Sequence, residues 1–228
     1  LIAPVEDIFA LAKKYDAITL VDMAQTAGLV DLNVGLITVD FAVFAGHKTL
    51  YGPTGISGFV MNPSVKIPAV IFGGTGYESA NQDMPEDLPQ KYEMGTLNIS
   101  GIAGLNAALG WSAQVTIKAI REKEAENRKR LIDLLSRYSY IKIIGNYDSC
   151  NYVGIVSCII EGISSDSAGP VFDRCGIAVR TGLQCAPLAH QFMGTFPAGT
   201  IRFSVNYFTT DKDFAELEEA LDYIESEL

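Results

Sequence analysis

Clustered basic residues are missing from the sequence, and this absence bears on its partners. Its 228 residues contain 17 lysines and arginines against 27 aspartates and glutamates, so the formal net charge is −10. Proteins that bind phosphate backbones need runs or patches of lysine and arginine, and none is present. Nucleic acid is not an expected partner.

Long apolar runs are also missing. No stretch approaches the roughly 20 apolar residues of a membrane-spanning helix. The residues after Leu1 lack the charged and then apolar pattern of a signal peptide. We therefore expect no membrane partner and predict a cytoplasmic location.

Few residues suit a metal site or a disulfide framework. The chain has four cysteines at irregular spacing and two histidines, His47 and His190. Structural zinc sites depend on paired cysteines or closely spaced histidines, and the sequence has neither pattern. No metal is predicted, and His190, in a predicted loop at 188–192, is expected to be structural.

What is present is an ordinary globular composition, with 48% hydrophobic and 19% charged residues. A helical pattern over residues 4–15 precedes a strand at 18–21, and further apolar stretches follow at 39–45 and 55–61. Helices that alternate with strands predict an α/β fold with a mostly parallel sheet.

The second half of the chain has a different pattern. Residues 99–111 are apolar on nearly every face, which predicts a buried helix. A charged helix follows over residues 115–138, where Glu124 and Arg128 have the i,i+4 spacing of an ion pair on a solvated face. A small α+β domain is predicted after it, with strands at 153–160, 177–180 and 200–205.

Two of the predicted strand ends carry chemically complementary side chains. Asp22 follows the strand at 18–21, and Lys48 follows the strand at 41–45. Ligands gather at the carboxyl ends of parallel strands. There a lysine can form a Schiff base with a cofactor aldehyde, and an aspartate can keep a pyridine nitrogen protonated. The pair predicts a pyridoxal phosphate site, although singly Asp22 could form a turn and Lys48 could be solvated.

The motifs Val-Asp-x-Ala-Gln at 21–25 and Ala-Gly-His-Lys-x-x-x-Gly-Pro at 45–53 resemble the class V aminotransferase family of fold-type I pyridoxal phosphate enzymes. The resemblance favours its cysteine desulfurase and selenocysteine lyase branch. It implies the C-terminal part of the large domain, with a mostly parallel sheet and flanking helices, and a small α+β C-terminal domain. The family's N-terminal part of the large domain and its ring-stacking residue are expected upstream of Leu1. The implied domains are 1–112, a bridging helix at 113–138, and 139–228.

The resemblance also implies roles for residues around the cofactor. Asp22 would pair with the pyridinium nitrogen, Gln25 would donate to the ring's phenolic oxygen, and His47 would contact the phosphate. Lys48 would bind the cofactor and then move the substrate's α-proton. Thr96 would reach the phosphate of a neighbouring subunit, which implies a homodimer. Other interpretations are that His47 is a turn histidine and that the segment around Thr96 is a helix cap.

A second motif supplies a cysteine. Residues 180–187, Arg-Thr-Gly-Leu-Gln-Cys-Ala-Pro, resemble the family's Arg-x-Gly-x-x-Cys-Ala loop, whose thiolate takes sulfur from the substrate as a persulfide. This favours Cys185 as the nucleophile, whereas Cys158 and Cys175 are expected to be small buried residues. Gln184 precedes the cysteine where some relatives carry histidine, so proton handling at the thiol is expected to differ.

An arginine lies among apolar residues in the strand predicted at 200–205. Arg202 needs a partner there, and a substrate α-carboxylate fits its bidentate guanidinium. Arg180 is a second candidate for this role. A structural salt bridge to one of the many acidic residues is the alternative.

Together these residues predict removal of sulfur or selenium from L-cysteine or L-selenocysteine, with alanine as the product. The expected partners are a small amino-acid substrate and a sulfur-acceptor protein. One alternative is another class V enzyme, a transaminase or lyase that uses Lys48 without Cys185. The other is a catalytically incomplete remnant that acts as a scaffold.

Overall fold

The chain folds into two compact units. The structure, a computed structural model, describes residues 1–35, 39–145 and 151–227, so that Cys150 lies outside the described residues. The N-terminal unit is Pro4–Ile117, and the C-terminal unit is Lys118–Leu228 together with Leu1–Ala3.

The N-terminal unit contains a mixed sheet of three strands in the order β1-β2-β3. Strand β2 pairs with β1 in parallel and with β3 in antiparallel orientation. Phe9, Val21 and Ala42 pack together between helix α1 and the sheet. The elements are α1 Val5–Lys13, β1 Leu20–Asp22, β2 Phe41–Ala45, β3 Ser57–Met61, a short 3-10 helix Gln90–Tyr92, and α2 Ile99–Val115.

The C-terminal unit contains an antiparallel sheet of four strands in the order β4-β5-β7-β6. Strand β5 alternates in burial, because successive side chains point to opposite faces. Val156, Cys158 and Ile160 of β5 are buried against the helices. The elements are α3 Ile117–Leu135, β4 Ile141–Ile144, β5 Ile155–Ile160, α4 Ser165–Arg174, β6 Arg180–Gly182, α5 Pro187–Phe192, β7 Thr200–Ser204 and α6 Asp211–Glu227.

The predicted α/β class is confirmed, and several local predictions need correction. Strand β4 was not predicted, and β6 begins at Arg180, where the predicted strand at 177–180 ends. A helix, α5, occupies the predicted loop at 188–192, since Pro187 is well suited to a first helical turn. In residues 1–35, 39–145 and 151–227, no helix is both long and apolar enough to cross a membrane.

The prediction that the apolar helix at 99–111 is buried is wrong for this chain. Within α2 only Gly101, Leu105 and Ser112 are buried, and Ile99 is 65% exposed. The helix ends at Val115, because the φ of 77° at the following Thr116 breaks the helical path. Apolar composition predicted the helix correctly, but it does not show which surface covers it.

The prediction of a solvated ion pair is wrong for Glu124. Its side chain is buried, and its Oε1 accepts a hydrogen bond of 2.6 Å from the backbone N–H of Gly154. A side chain at Gly154 would collide with Glu124 and with the carbonyl oxygen of Val205. The carboxyl therefore tethers α3 to the segment that enters β5.

Replacing Glu124 by glutamine tests the effect of this burial on stability. Burial raises the pKa of the Glu124 carboxyl above its ordinary value, and the hydrogen bond from Gly154 opposes the shift. When the pKa of an acid is higher in the folded state than in the unfolded state, folding becomes less favourable as the pH rises above the pKa of the unfolded state. From about pH 4 to about pH 8, we expect the free energy of unfolding of Glu124→Gln to increase relative to the native protein.

Chemical unfolding at the two pH values measures this difference. The matched control is Glu126→Gln on the same helix, because Glu126 is exposed and pairs with Lys123. The difference in free energy of unfolding between Glu126→Gln and the native protein should change less with pH. If the free energy of unfolding of Glu124→Gln relative to the native protein stays constant or falls as pH rises, the pKa of Glu124 is not raised by burial.

Candidate active site

Asp22 and Lys48 follow the carboxyl ends of two adjacent parallel strands. Asp22 is the last residue of β1 and lies opposite Val43 of β2. The backbone N–H of Met23 donates to the carbonyl of Val43 at 2.8 Å, so the parallel pairing continues past the aspartate. Lys48 follows shortly after Ala45, the last residue of β2. The predicted juxtaposition at one sheet edge is thus present in the backbone.

The Asp22 carboxylate is exposed and only partly used within the chain. Its Oδ1 accepts a hydrogen bond of 2.8 Å from the backbone N–H of Ala24, which is the turn-forming role considered for an isolated aspartate. Among the described residues, Oδ2 has no hydrogen-bond partner. Asp22 can therefore shape its turn and still accept a proton donor from a ligand.

Two glycines shape the loop that presents Lys48. A Cβ at Gly46 would lie 2.8 Å from Cγ2 of Ile56, and a Cβ at Gly52 would lie 2.8 Å from the carbonyl oxygen of Gly46. The N–H of Gly52 donates to that same carbonyl at 2.7 Å, which closes the loop. The glycines of the motif are required because the backbone folds against itself at both ends of the loop.

Packing beneath the loop joins it to the segment after Asp22. Leu50 is buried with Ala27 of that segment and with Leu105 of α2. The side chains of Gln25, His47 and Lys48 are all exposed. Among the described residues, the Lys48 amine has no acidic partner. Three of the predicted cofactor-binding side chains are therefore accessible to a ligand.

Thr96 lies just before the start of α2. It is exposed, and the preceding Gly95 donates its N–H to the carbonyl of Gly74 in the glycine-rich loop at 2.7 Å. Asn98 caps α2, because its Oδ1 accepts from the N–H of Gly101 at 2.9 Å and its Nδ2 donates to Gly55 at 3.0 Å. The cap interpretation is correct for Asn98, and the phosphate role of Thr96 stays a prediction.

In the C-terminal unit, the two predicted substrate-binding arginines are direct cross-strand partners. Arg180 of β6 lies opposite Arg202 of β7, and Ser157 of β5 lies on the other side of Arg202. The Nε atom of Arg202 is buried and has no hydrogen-bond partner in the part of the chain that the structure describes. Among the described residues, neither guanidinium forms a salt bridge, so the structural ion pair considered for Arg202 is absent there. Facing like charges favour an anionic ligand between them.

Cys185 is exposed in a turn that directly follows β6. The N–H of Ala186 donates to the carbonyl of Leu183 at 2.8 Å and closes the turn. Both central residues have left-handed φ angles, 51° at Gln184 and 61° at Cys185. Such angles are uncommon outside glycine, asparagine and aspartate. The turn holds the thiol in solvent at the end of the strand that carries Arg180.

Two other cysteines in the described residues differ from Cys185. Cys158 is fully buried in β5, and this burial raises the pKa of its thiol to about 12. Cys175 is exposed at the end of α4, so the prediction that it is buried is wrong. His190 is buried in α5, with its Nδ1 2.7 Å from Oγ1 of Thr195, which agrees with a structural role.

No metal centre is evident in the part of the chain that the structure describes. Over residues 1–35, 39–145 and 151–227, no group of three or more His, Cys, Asp or Glu side chains is arranged to hold an ion.

Comparisons with known proteins agree with this geometry. The family described as Aminotransferase class-V matches residues 1–217. A probable cysteine desulfurase of Methanothermobacter thermautotrophicus is 32% identical over 226 residues, which cover 96% of this chain and 56% of that protein. A cysteine desulfurase of Synechococcus elongatus is 30% identical over 232 residues, covering 99% of this chain and 36% of that protein.

A solved structure gives the same result for the fold. The apo structure of a cysteine desulfurase from Thermococcus onnurineus matches with a TM-score of 0.86 and 27% identity, covering 99% of this chain and 56% of that one. The chain therefore belongs to the class-V aminotransferase family, as its motifs predicted. It spans about half the length of curated relatives that it matches.

The facing arginines generate a prediction about stability. Like charges directly opposite on neighbouring strands destabilise a sheet. Arg180→Gln should therefore raise the free energy of unfolding by about 0.2–1 kcal/mol at low ionic strength, and added salt should reduce the gain. Chemical unfolding at several salt concentrations measures the effect.

Arg137→Gln provides the control, because Arg137 forms a 2.7 Å salt bridge with Glu218 in the same unit. That substitution should leave stability unchanged or lower it slightly. A loss of stability in Arg180→Gln at low salt would show that the two guanidinium groups do not repel each other.

Proposed function

We propose that the chain forms part of a cytoplasmic, pyridoxal phosphate-dependent cysteine desulfurase. The observation that carries this proposal is an exposed cysteine, Cys185, held on a left-handed turn next to two facing arginines. A transaminase needs no such thiol. The proposal is also supported by relatives named as cysteine desulfurases at 30% and 32% identity.

The donor set at the strand ends of the N-terminal unit fits pyridoxal phosphate. Asp22 offers an unused carboxylate oxygen to a protonated ring nitrogen, and Gln25 and His47 offer polar groups to the ring oxygen and the phosphate. Lys48 offers an amine with no acidic partner among the described residues. When bound there, the cofactor would supply an electron sink for the substrate's α-carbon.

The arginines would orient the substrate. Arg202 would donate hydrogen bonds from its guanidinium to the α-carboxylate, using the Nε that is buried without a partner among the described residues. Arg180 would provide a second donor from the opposite strand position. Binding an anion would also remove the repulsion between the two side chains.

The reaction would then use one amine and one thiol. Lys48 would move the proton at the substrate's α-carbon. The Cys185 thiolate would attack the substrate sulfur, so that a sulfur–sulfur bond forms as the carbon–sulfur bond breaks. Alanine leaves after protonation, and Cys185 carries a persulfide that a sulfur-acceptor protein can reach because the residue is exposed. Selenocysteine would react in the same way.

A homodimer is part of the proposal. Helix α2 exposes Ile99, Ile102 and Leu109, an apolar surface that association would bury. A partner subunit that covers this surface would also receive Thr96, which lies immediately before the helix. Thr96 would then contact the cofactor phosphate of the partner.

Replacing Lys48 tests whether its amine binds the cofactor. Lys48→Ala should abolish the visible absorbance of bound pyridoxal phosphate and lower alanine formation from L-cysteine by about 100-fold or more, because the base is lost. Lys66→Ala, an exposed lysine of the same unit, should change neither. A visible band that survives in Lys48→Ala would rule out the assignment.

Replacing Cys185 separates the candidate functions. Cys185→Ser should retain the visible band and lower sulfur release by on the order of 100-fold or more, because a hydroxyl is a poor nucleophile. Cys175→Ser is the matched control, since Cys175 is also exposed in the C-terminal unit. Unchanged sulfur release would favour another class V reaction. A native protein that cannot bind the cofactor would favour a scaffold.

A further inference from the structure

The turn that carries Cys185 is unfavourable on its own. Gln184 and Cys185 both have left-handed φ angles, although neither is a residue type that adopts them readily. The hydrogen bond from the N–H of Ala186 to the carbonyl of Leu183 does not explain these angles. The same hydrogen bond forms in the mirror-image type I turn, in which both central φ angles are negative and unstrained. Something else in the structure must hold these angles.

The side chain of Gln184 provides that restraint. Its Nε2 lies 3.2 Å from the carbonyl oxygen of Arg180, 3.3 Å from that of Gly182, and 3.5 Å from that of Thr200. Arg180 and Gly182 belong to β6, and Thr200 belongs to β7. The amide therefore reaches back from the turn and bridges the ends of both strands.

The orientation of the amide follows from its acceptors. All three neighbours are carbonyl oxygens, which only accept, so the NH₂ end faces them and shares its two hydrogens among them, and Oε1 points the other way. Oε1 is buried and has no hydrogen-bond partner over residues 1–35, 39–145 and 151–227. Leaving a buried acceptor unpaired costs free energy, as does each left-handed residue. Stability alone does not explain such an arrangement, and costs of this kind concentrate at functional sites.

We propose that Gln184 is a positioning residue for Cys185, and that its side-chain amide clamps the turn to β6 and β7 so that the thiol is held in one place. This inference rests on the proposed function of Cys185 as the sulfur acceptor. An amide neither takes up nor releases a proton near neutral pH, so the role is geometric. The expectation that proton handling at the thiol differs from that in relatives with histidine stays a prediction.

Three substitutions separate the clamp from other roles. Gln184→Ala removes the clamp and keeps a side chain at a left-handed φ. Gln184→Glu has the same shape but cannot donate. Gln184→Gly also removes the clamp, yet relieves the strain, because glycine adopts left-handed angles freely. The native protein and each variant are compared with the cofactor bound.

The first readout is independent of activity. Hydrogen exchange of the peptide around Ala186 should accelerate by about tenfold in the Ala and Glu variants, because the turn opens more often. Exchange in peptides from β5 should be unchanged, which shows that the unit remains folded. Unchanged exchange around Ala186 in both variants would overturn the proposal.

The second readout is the division between kcat and KM for alanine formation from L-cysteine. A displaced thiol should lower kcat by about 100-fold in all three variants, while KM, the visible cofactor band and the pH profile stay as in the native protein. Recovery of kcat in Gln184→Gly would show that only strain mattered, and a shifted pH profile would show proton transfer. Either result would overturn the proposal.

The two proposals fail in distinguishable ways. A native protein that releases no sulfur would contradict the desulfurase function, and a turn whose exchange is unchanged in the variants would contradict the clamp. A fully active Gln184→Ala variant would contradict the clamp while leaving the desulfurase function intact.

Discussion

The close approach of β6 and β7 at Gly182 and Gly199 is the constraint on which the cysteine-bearing part of the molecule depends. A Cβ at Gly199 would collide with the carbonyl group of Gly182, and both residues have left-handed φ angles. The contact fixes the register of the two strands. Because the register is fixed, Arg180 faces Arg202, and the chain leaves β6 at the point where Gln184 can reach back to both strands.

The same principle operates in the N-terminal unit. Gly46 and Gly52 allow the backbone after β2 to fold against itself, and Lys48 is carried between them into solvent. Leu50 of this loop packs with Ala27 and Leu105 in a buried cluster and so restrains the loop. In both units, glycine provides the close backbone contact, and the chemically reactive side chain lies a few residues away on a loop whose ends are fixed.

The sequence predicted the fold class, the strand ends of Asp22 and Lys48 and the loop that carries Cys185, because these depend on local pattern and motif. It failed where the cause is not local. Glu124 is buried because Gly154, far along the chain, donates to it. The exposed face of α2 could not be predicted, because apolar composition does not identify the covering surface. The left-handed angle of Gln184 depends on carbonyl groups of two strands, and no residue type signals it.

The destabilising features of the candidate site and the apolar packing that stabilises the C-terminal unit lie on opposite faces of its sheet. Along β7, Ile201 and Phe203 are buried in the main apolar cluster, while Arg202 between them points to the other face. One face of the sheet can therefore hold facing arginines and a strained turn because the opposite face supplies continuous apolar burial. A charged side chain in place of Ile201 would lower stability, whereas replacing Arg202 would leave this apolar cluster in place, even though the two residues are adjacent in sequence.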